Sequence, residues 1–192
     1  MKILVTGAKG FVGKNLCASL KNLRDKKDRT RPDLFVEEIY EYDVDTETSL
    51  LDEYCSNCDF VFNLAGVNRP ENAEEFMQGN FGFASELLDT LKKHNNTCPV
   101  MISSSIQATC IGRYDSDYGR SKKAGEDLVF DYGKETGAKV LVYRFMDAIV
   151  DVKKDVKYEG NGPVYDLTGR EVDLNTSRKG VYILGGKKVL IK

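Results

Sequence analysis

Short apolar runs alternate with amphipathic stretches through most of the 192-residue chain. "KILVT" (residues 2–6) reads as a short buried strand. After a glycine-rich turn, "FVGKNLCASLKNL" sets Phe11, Leu16, Leu20 and Leu23 at helical spacing. "RDKKDRTRPD" is a charge-rich loop, and "LFVEEIYEYD" (34–43) predicts a second strand. "TETSLLDEYCS" predicts a short helix opened by a Thr or Ser cap. "DFVFNLAG" is a third strand ending in a small-residue loop, and "AEEFMQGNFGFASELLDTLKKH" (73–94) is a long helix. "PVMISSS", "YGRSKKAGEDLVFDYGKETG" and "KVLVYRF" then give strand, helix and strand, ending at Phe145. Strands alternating with helices imply right-handed βαβ units. The fold class is therefore α/β, with a doubly wound parallel sheet covered on both faces.

After Phe145 the alternation stops. "MDAIVDVKKDVKYEGNGP" is polar, and "PVYDLTGREVDL" and "KGVYILGGKKVLIK" read as a short antiparallel β-ribbon. Gly185-Gly186 between two apolar, β-branched runs is a hairpin signal. The expected division is residues 1–146 as one domain, 147–162 as a linker and 163–192 as the ribbon.

Composition narrows the function classes. The 28 Lys+Arg against 30 Asp+Glu give a net charge of -2, which points away from nucleic acid and from acidic membrane surfaces. No apolar run is long enough to span a bilayer, and the N-terminus does not read as a signal peptide, so the expected location is cytoplasmic. Five cysteines scattered through α/β sequence suit reduced thiols. Cys55-Ser-Asn-Cys58 has no second pair to complete a metal site, so it reads as two thiols near a helix end. His94, in "KKHNN", reads as a solvated helix end.

Four features carry candidate chemistry. In "TGAKGFVG", Gly7 permits a tight turn, Gly10 lets backbone approach a phosphate, and Gly13 allows a helix to pack close on a strand. Together they make a dinucleotide cradle at a helix N-terminus, or an ordinary strand–helix turn. "EYD" offers Glu41 and Asp43 as a ribose-binding acid. Asp43, at the strand's end, fits better, unless it is a solvated loop acid. Tyr118 and Lys122 share a helix face, so the ammonium can lower the phenol's pKa and let it exchange a proton with a carbinol oxygen. Ser105, at the end of a strand, is the candidate substrate-orienting hydroxyl. Ser103 and Ser104 read as strand-end hydrogen-bonding residues.

"TGAKGFVG", "NLAG" (63–66), the serines at 103–105 and "YGRSK", in that order, resemble the extended short-chain dehydrogenase/reductases, a group of sugar-nucleotide epimerases, dehydratases and reductases. "GNFGFASELL", with Asn80, is similar to a helix of that family. The resemblance covers residues 1 to about 145 and implies a Rossmann-like sheet. "GAKGFVGKNL", "LAGVNRPE" and "SSSIQAT" further resemble capsular-polysaccharide reductases of the CapF/WbjC type. Such enzymes reduce a UDP-4-keto-6-deoxy-N-acetylhexosamine. The resemblance implies Tyr118 as proton donor, Lys122 as its activator and ribose contact, and Ser105 as the group polarising the keto oxygen. Gly7, Gly10, Phe11, Val12, Gly13, Asp43, Leu64, Ala65 and Gly66 would border the coenzyme, and Asn68 and Arg69 the nucleotide or sugar. NAD or NADP stays open. Asp43 favours NAD, while members of the group often prefer NADPH. The expected partner is a nucleotide sugar, with a homodimer as a further expectation.

The family continues beyond "YRF" with a substrate-binding domain, and CapF-like proteins add a histidine-bearing cupin module. This sequence departs there, so the expected sheet is truncated and turnover is in doubt. "YDLTGR", "KGVYI" and "GKKVLIK" resemble a type IX secretion sorting domain; a plain β-ribbon is the alternative. Two halves of such different character suggest a fusion or deletion product. An impaired reductase, a non-catalytic NAD(P)-binding remnant and a surface-displayed protein are the functions to separate.

Overall fold

The computed structural model describes residues 1–67, 72, 74–112 and 115–145, and the strands Val164–Asp166, Gly180–Leu184 and Lys187–Ile191. It divides into two compact units, Met1–Met146 and Asp147–Lys192.

The first unit holds β1 (Lys2–Thr6), α1 (Phe11–Arg24), β2 (Glu38–Tyr42), α2 (Ser49–Asn57) and β3 (Phe60–Asn63). Next come α3 (Glu74–Phe76), a π-helical stretch (Met77–Gly82), α4 (Phe83–Lys93) and β4 (Val100–Ser105). A 3-10 turn (Ile106–Thr109), α5 (Asp117–Thr136) and β5 (Val140–Phe145) complete it. The five strands form one parallel sheet in the order β2-β1-β3-β4-β5. The chain leaves β1 toward β2 and then crosses back to β3 on the other side. The direction of winding therefore switches between β1 and β3, and the carboxyl edge at such a switch is where α/β proteins bind ligands.

Alternation along β1 sends its side chains into two cores. Leu4 joins Leu51, Val61, Leu87, Leu91, Val100 and Val129 under α2, α4 and α5. Ile3 and Val5 join Cys17, Leu20 and Val36 under α1. The sheet is thus doubly wound, as the pattern predicts. Each fully buried leucine such as Leu87 contributes about 2 kcal/mol of apolar burial. Beyond β3 the α1 face is less covered: Leu141, Tyr143 and Phe145 of β5 are 48%, 58% and 37% exposed.

Some local expectations change. β2 starts at Glu38 rather than Leu34, because Glu38 pairs with Lys2, the first residue of β1. Before it, Phe35 and Glu37 bond only to Met1, ahead of β1, and Val36 packs under α1. The predicted helix 73–94 contains the π-helical stretch. Thr48 occupies the N-cap of α2 but makes no side-chain cap bond. Phe11, at helical spacing with buried leucines, is 88% exposed; Cys17 and Gly13 join Leu20 on the inner stripe instead. His94 is not simply solvated, since its Nε2 lies 3.0 Å from Asp52 Oδ1.

In the second unit, β6 (Val164–Asp166), β7 (Gly180–Leu184) and β8 (Lys187–Ile191) form an antiparallel sheet in that order. The register sets Leu184 opposite Lys187. Gly185-Gly186 and the expected linker 147–162 lie outside the described residues.

Candidate active site

Close backbone approach shapes the carboxyl edge. Gly7 has φ +65°, and a Cβ there would lie 2.7 Å from Ala65 N and 2.8 Å from the Leu64 carbonyl carbon. The turn after β1 therefore runs directly against the loop after β3, which a side chain would forbid. A Cβ at Gly13 would lie 2.1 Å from Gly7 O, so α1 packs backbone to backbone on the same turn. Gly10 is the N-cap of α1, and a Cβ there would meet only Gly7 O, at 3.2 Å. No side chain caps α1, and no acid occupies its first turn. Its opening amides, at the start of the segment bearing Phe11 and Val12, suit an anionic diphosphate.

The end of β2 separates the two candidate acids. Glu41 pairs with Lys21 of α1 at 2.5 Å. Asp43 instead accepts from Lys9 N at 2.7 Å and Val44 N at 2.9 Å, which ties it to the glycine turn. The Lys9 ammonium pairs with Asp45.

The loop after β3 is fastened from both sides. Leu64 N donates to Thr6 O, and Ala65 N to Thr6 Oγ1 at 3.3 Å. Val67 N donates to Asn80 Oδ1 at 3.0 Å, and Asn80 Nδ2 donates to Val67 O and to Ser121 Oγ. Ser121 in turn donates to Tyr118 O. Asn80, buried in the π-helical stretch, thus joins the loop to the turn of α5 between Tyr118 and Lys122. A Cβ on Gly66 would sit 3.0 Å from Lys122 Nζ, so that loop borders the ammonium.

Ser116 caps α5 by accepting from Gly119 N. Within α5, Lys122 Nζ stands 5.8 Å from the centroid of the Tyr118 ring and donates to Ser103 O at 3.4 Å. Burial lowers its pKa to about 8. The Tyr118 ring leans on Phe76, with centroids 5.5 Å apart.

All three serines are buried, with different duties. Ser103 offers its carbonyl to Lys122. Ser104 donates to Glu126 Oε1 at 2.6 Å. Ser105 Oγ accepts from Gln107 N at 3.2 Å, opening the 3-10 turn, and Gln107 Oε1 in turn faces the Ser116 hydroxyl. The fold thus gathers Ser105, Tyr118, Lys122, Gly66 and the glycine turn at one sheet edge. Asn68 and Arg69 lie outside the described residues.

The sequence reading missed Glu126. It is 1% exposed, one turn beyond Lys122, and receives two bonds from Arg144, at 2.7 and 2.6 Å. Burial pushes its carboxyl up, but Arg144 and Ser104 outweigh that and hold it below the ordinary value. An acid on the inner stripe of α5, between Gly125 and Val129, is the signal that marks it. Asn80 was visible only through the family-like "GNFGFASELL"; its role was not, because its partners Val67 and Ser121 come from two other segments.

Residues 3–149 match the NAD dependent epimerase/dehydratase family. Over 144 residues the chain is 38% identical to the UDP-2-acetamido-2,6-beta-L-arabino-hexul-4-ose reductase of Pseudomonas aeruginosa, covering 75% of this chain and 35% of that protein. The capsular polysaccharide assembling protein CapF of Staphylococcus aureus is 39% identical. It superposes with a TM-score of 0.59 over 76% of this chain and 35% of its own. The UDP-glucuronic acid 4-epimerase of Bacillus cereus, solved with NAD, shares the fold at 22% identity. Its TM-score is 0.56, over 76% of this chain and 56% of that one. The chain therefore spans about a third of the length of the first two relatives. Among the described residues, no helix is long and apolar enough to cross a membrane. Because the match runs through all five parallel strands and the glycine turn, this chain belongs to the NAD dependent epimerase/dehydratase family.

Proposed function

We propose that residues 1–145 form the coenzyme-binding and proton-transfer half of an NAD(P)-dependent sugar-nucleotide reductase. Its proposed substrate is a UDP-4-keto-6-deoxy-N-acetylhexosamine of capsular or O-antigen synthesis. The observation that carries this reading is Lys122. It is half-buried beside the Tyr118 ring, hydrogen-bonded to β4, and borders Gly66 in the loop across from the glycine turn.

The opening amides of α1, with Gly7 and Gly13 holding the backbone close, would cradle the diphosphate, and Asp43 would accept from the ribose hydroxyls. The coenzyme, when bound, supplies the hydride. Lys122, as an ammonium, stabilises charge developing on the Tyr118 oxygen, so the phenol can give its proton to the substrate oxygen. Ser105 Oγ accepts from Gln107 N, which leaves its own proton to orient the keto oxygen. Asn80 and Ser121 hold Tyr118 and the 64–67 loop at fixed separation.

The test is oxidation of NADH or NADPH in the presence of the keto-sugar nucleotide, with Tyr118→Phe in parallel. Turnover by the wild type that the variant loses supports the reductase. Coenzyme binding without turnover in either supports the second reading, a non-catalytic NAD(P)-binding remnant. A chain that binds neither coenzyme overturns both.

A further inference from the structure

The opposite edge of the sheet holds a thiol arrangement that the proposed reductase does not use. Cys58 is the C-cap of α2, just before β3, and Cys98 lies just before β4. β3 and β4 are paired neighbours, with Val61 opposite Val100, so the two cysteines meet at the amino ends of adjacent strands. Their sulfurs are 3.8 Å apart, and both thiols are free. Cys58 is buried, while Cys98 is partly exposed, which opens the pair to solvent on one side.

Asn96 holds both segments. Its Nδ2 donates to Cys55 O at 2.8 Å and Cys58 O at 2.9 Å, and its Oδ1 accepts from Cys98 N at 3.0 Å. The Asn96 carbonyl accepts from the Tyr132 hydroxyl at 3.1 Å, which anchors the clamp to α5. One side chain thus fixes the backbone of both cysteines, so the approach of the sulfurs does not depend on their rotamers alone. Cys55, its side chain fully buried in the apolar core under α2, takes no part.

We propose that Cys58 and Cys98 form a reversible disulfide when the folded chain meets a peroxide, making this edge a redox modification site. One thiolate displaces hydroxide from the peroxide, giving a sulfenic acid. The neighbouring thiol attacks that sulfur, the S–O bond breaks, and water leaves. In sum, two thiols and one hydrogen peroxide give one disulfide and two waters. The thiols lose two electrons and two protons, and the peroxide gains them. The contact with the Cys98 sulfur, together with Asn96 Nδ2, holds the Cys58 thiol below its ordinary pKa. This supplies thiolate at the buried member of the pair. The bridge would close a segment that includes the 64–67 loop and α4, so it constrains the unfolded chain and stabilises the folded one.

The experiment treats the full, reduced, folded chain with hydrogen peroxide, blocks remaining thiols, and maps peptides without reduction. The expected product is two hydrogens lighter and cross-linked between Cys58 and Cys98, and a thiol reductant restores it. Its thermal midpoint should rise by roughly 5–10 °C. Cys110→Ser should form the same bridge, and Cys98→Ser should not. A bridge within Cys55-Ser-Asn-Cys58, oxidation of Cys98 to sulfinic acid without a bridge, or a lowered midpoint in the bridged chain would overturn the proposal. Mapping of the wild type decides by itself, so a variant that fails to fold does not leave the question open.

Discussion

β4 begins and ends in different chemistry. At its start, Val100 and Ile102 are buried among Leu87, Leu91 and Val129, and Asn96 closes the turn before it with side-chain bonds. At its end, three buried serines serve Lys122, Glu126 and the 3-10 turn. The amino edge is filled by side chains, so substitutions there cost stability alone, whereas those at the carboxyl edge reach the candidate site as well. The carboxyl edge is made of glycine backbone, loop amides and hydroxyl groups, so it fixes the positions of the glycine turn, the 64–67 loop and Lys122. Substitutions at the two edges should therefore fail in different ways, and the following experiments sharpen or break that contrast.

The largest effect is expected for Gly13→Ala. Its new methyl would meet the Gly7 oxygen at 2.1 Å, and the obstacle is backbone, which cannot swing aside. We expect a loss of ~4 kcal/mol in urea unfolding, together with loss of coenzyme binding. A variant of normal stability would show that α1 need not pack on that turn.

Tyr118→Phe should lower turnover by about 10²- to 10³-fold with little change in thermal midpoint. A comparable loss of stability would place Tyr118 with the packing residues instead.

Glu126→Ala should cost ~2–3 kcal/mol. It strands Arg144, whose side chain is 41% exposed and so keeps partial access to water, and it releases Ser104. The wild-type contribution of Glu126 should fade in acid, because its folded pKa lies below the usual 4.5. Stability tied to this group is present above that value and is lost as pH falls through the depressed pKa.

The smallest effect, and one of opposite sign, is expected for Lys122→Met. Burial lowers the lysine from 10.5 to about 8, so at pH 7 folding must bury a charge. Between those two pH values the unfolded chain binds more protons, and wild-type stability rises with pH. The variant should be more stable than wild type by ~1–2 kcal/mol at pH 7, an advantage that shrinks as pH climbs toward 10.5. It should also lose turnover, and wild-type turnover should fall above about pH 8 as the ammonium is lost. A variant less stable than wild type at pH 7 would remove Lys122 from the positioning edge.

The sequence by itself determined the periodic parts. β1, β3 and β4 are legible as apolar runs because strands inside a two-faced parallel sheet are covered on both sides, and β5 is legible as such a run although one of its faces is exposed. The glycine spacing and the Tyr118–Lys122 face are legible because turn and helix geometry act within a few residues. Tertiary structure decided which distant groups meet. It paired Cys58 with Cys98 rather than with Cys55, placed Asn80 between the 64–67 loop and α5, and put Glu126 under Arg144. It also shortened β2 to the length of its neighbour. Local pattern follows from backbone geometry. The order of strands in the sheet brings together residues tens of positions apart, and no short window of sequence contains that order.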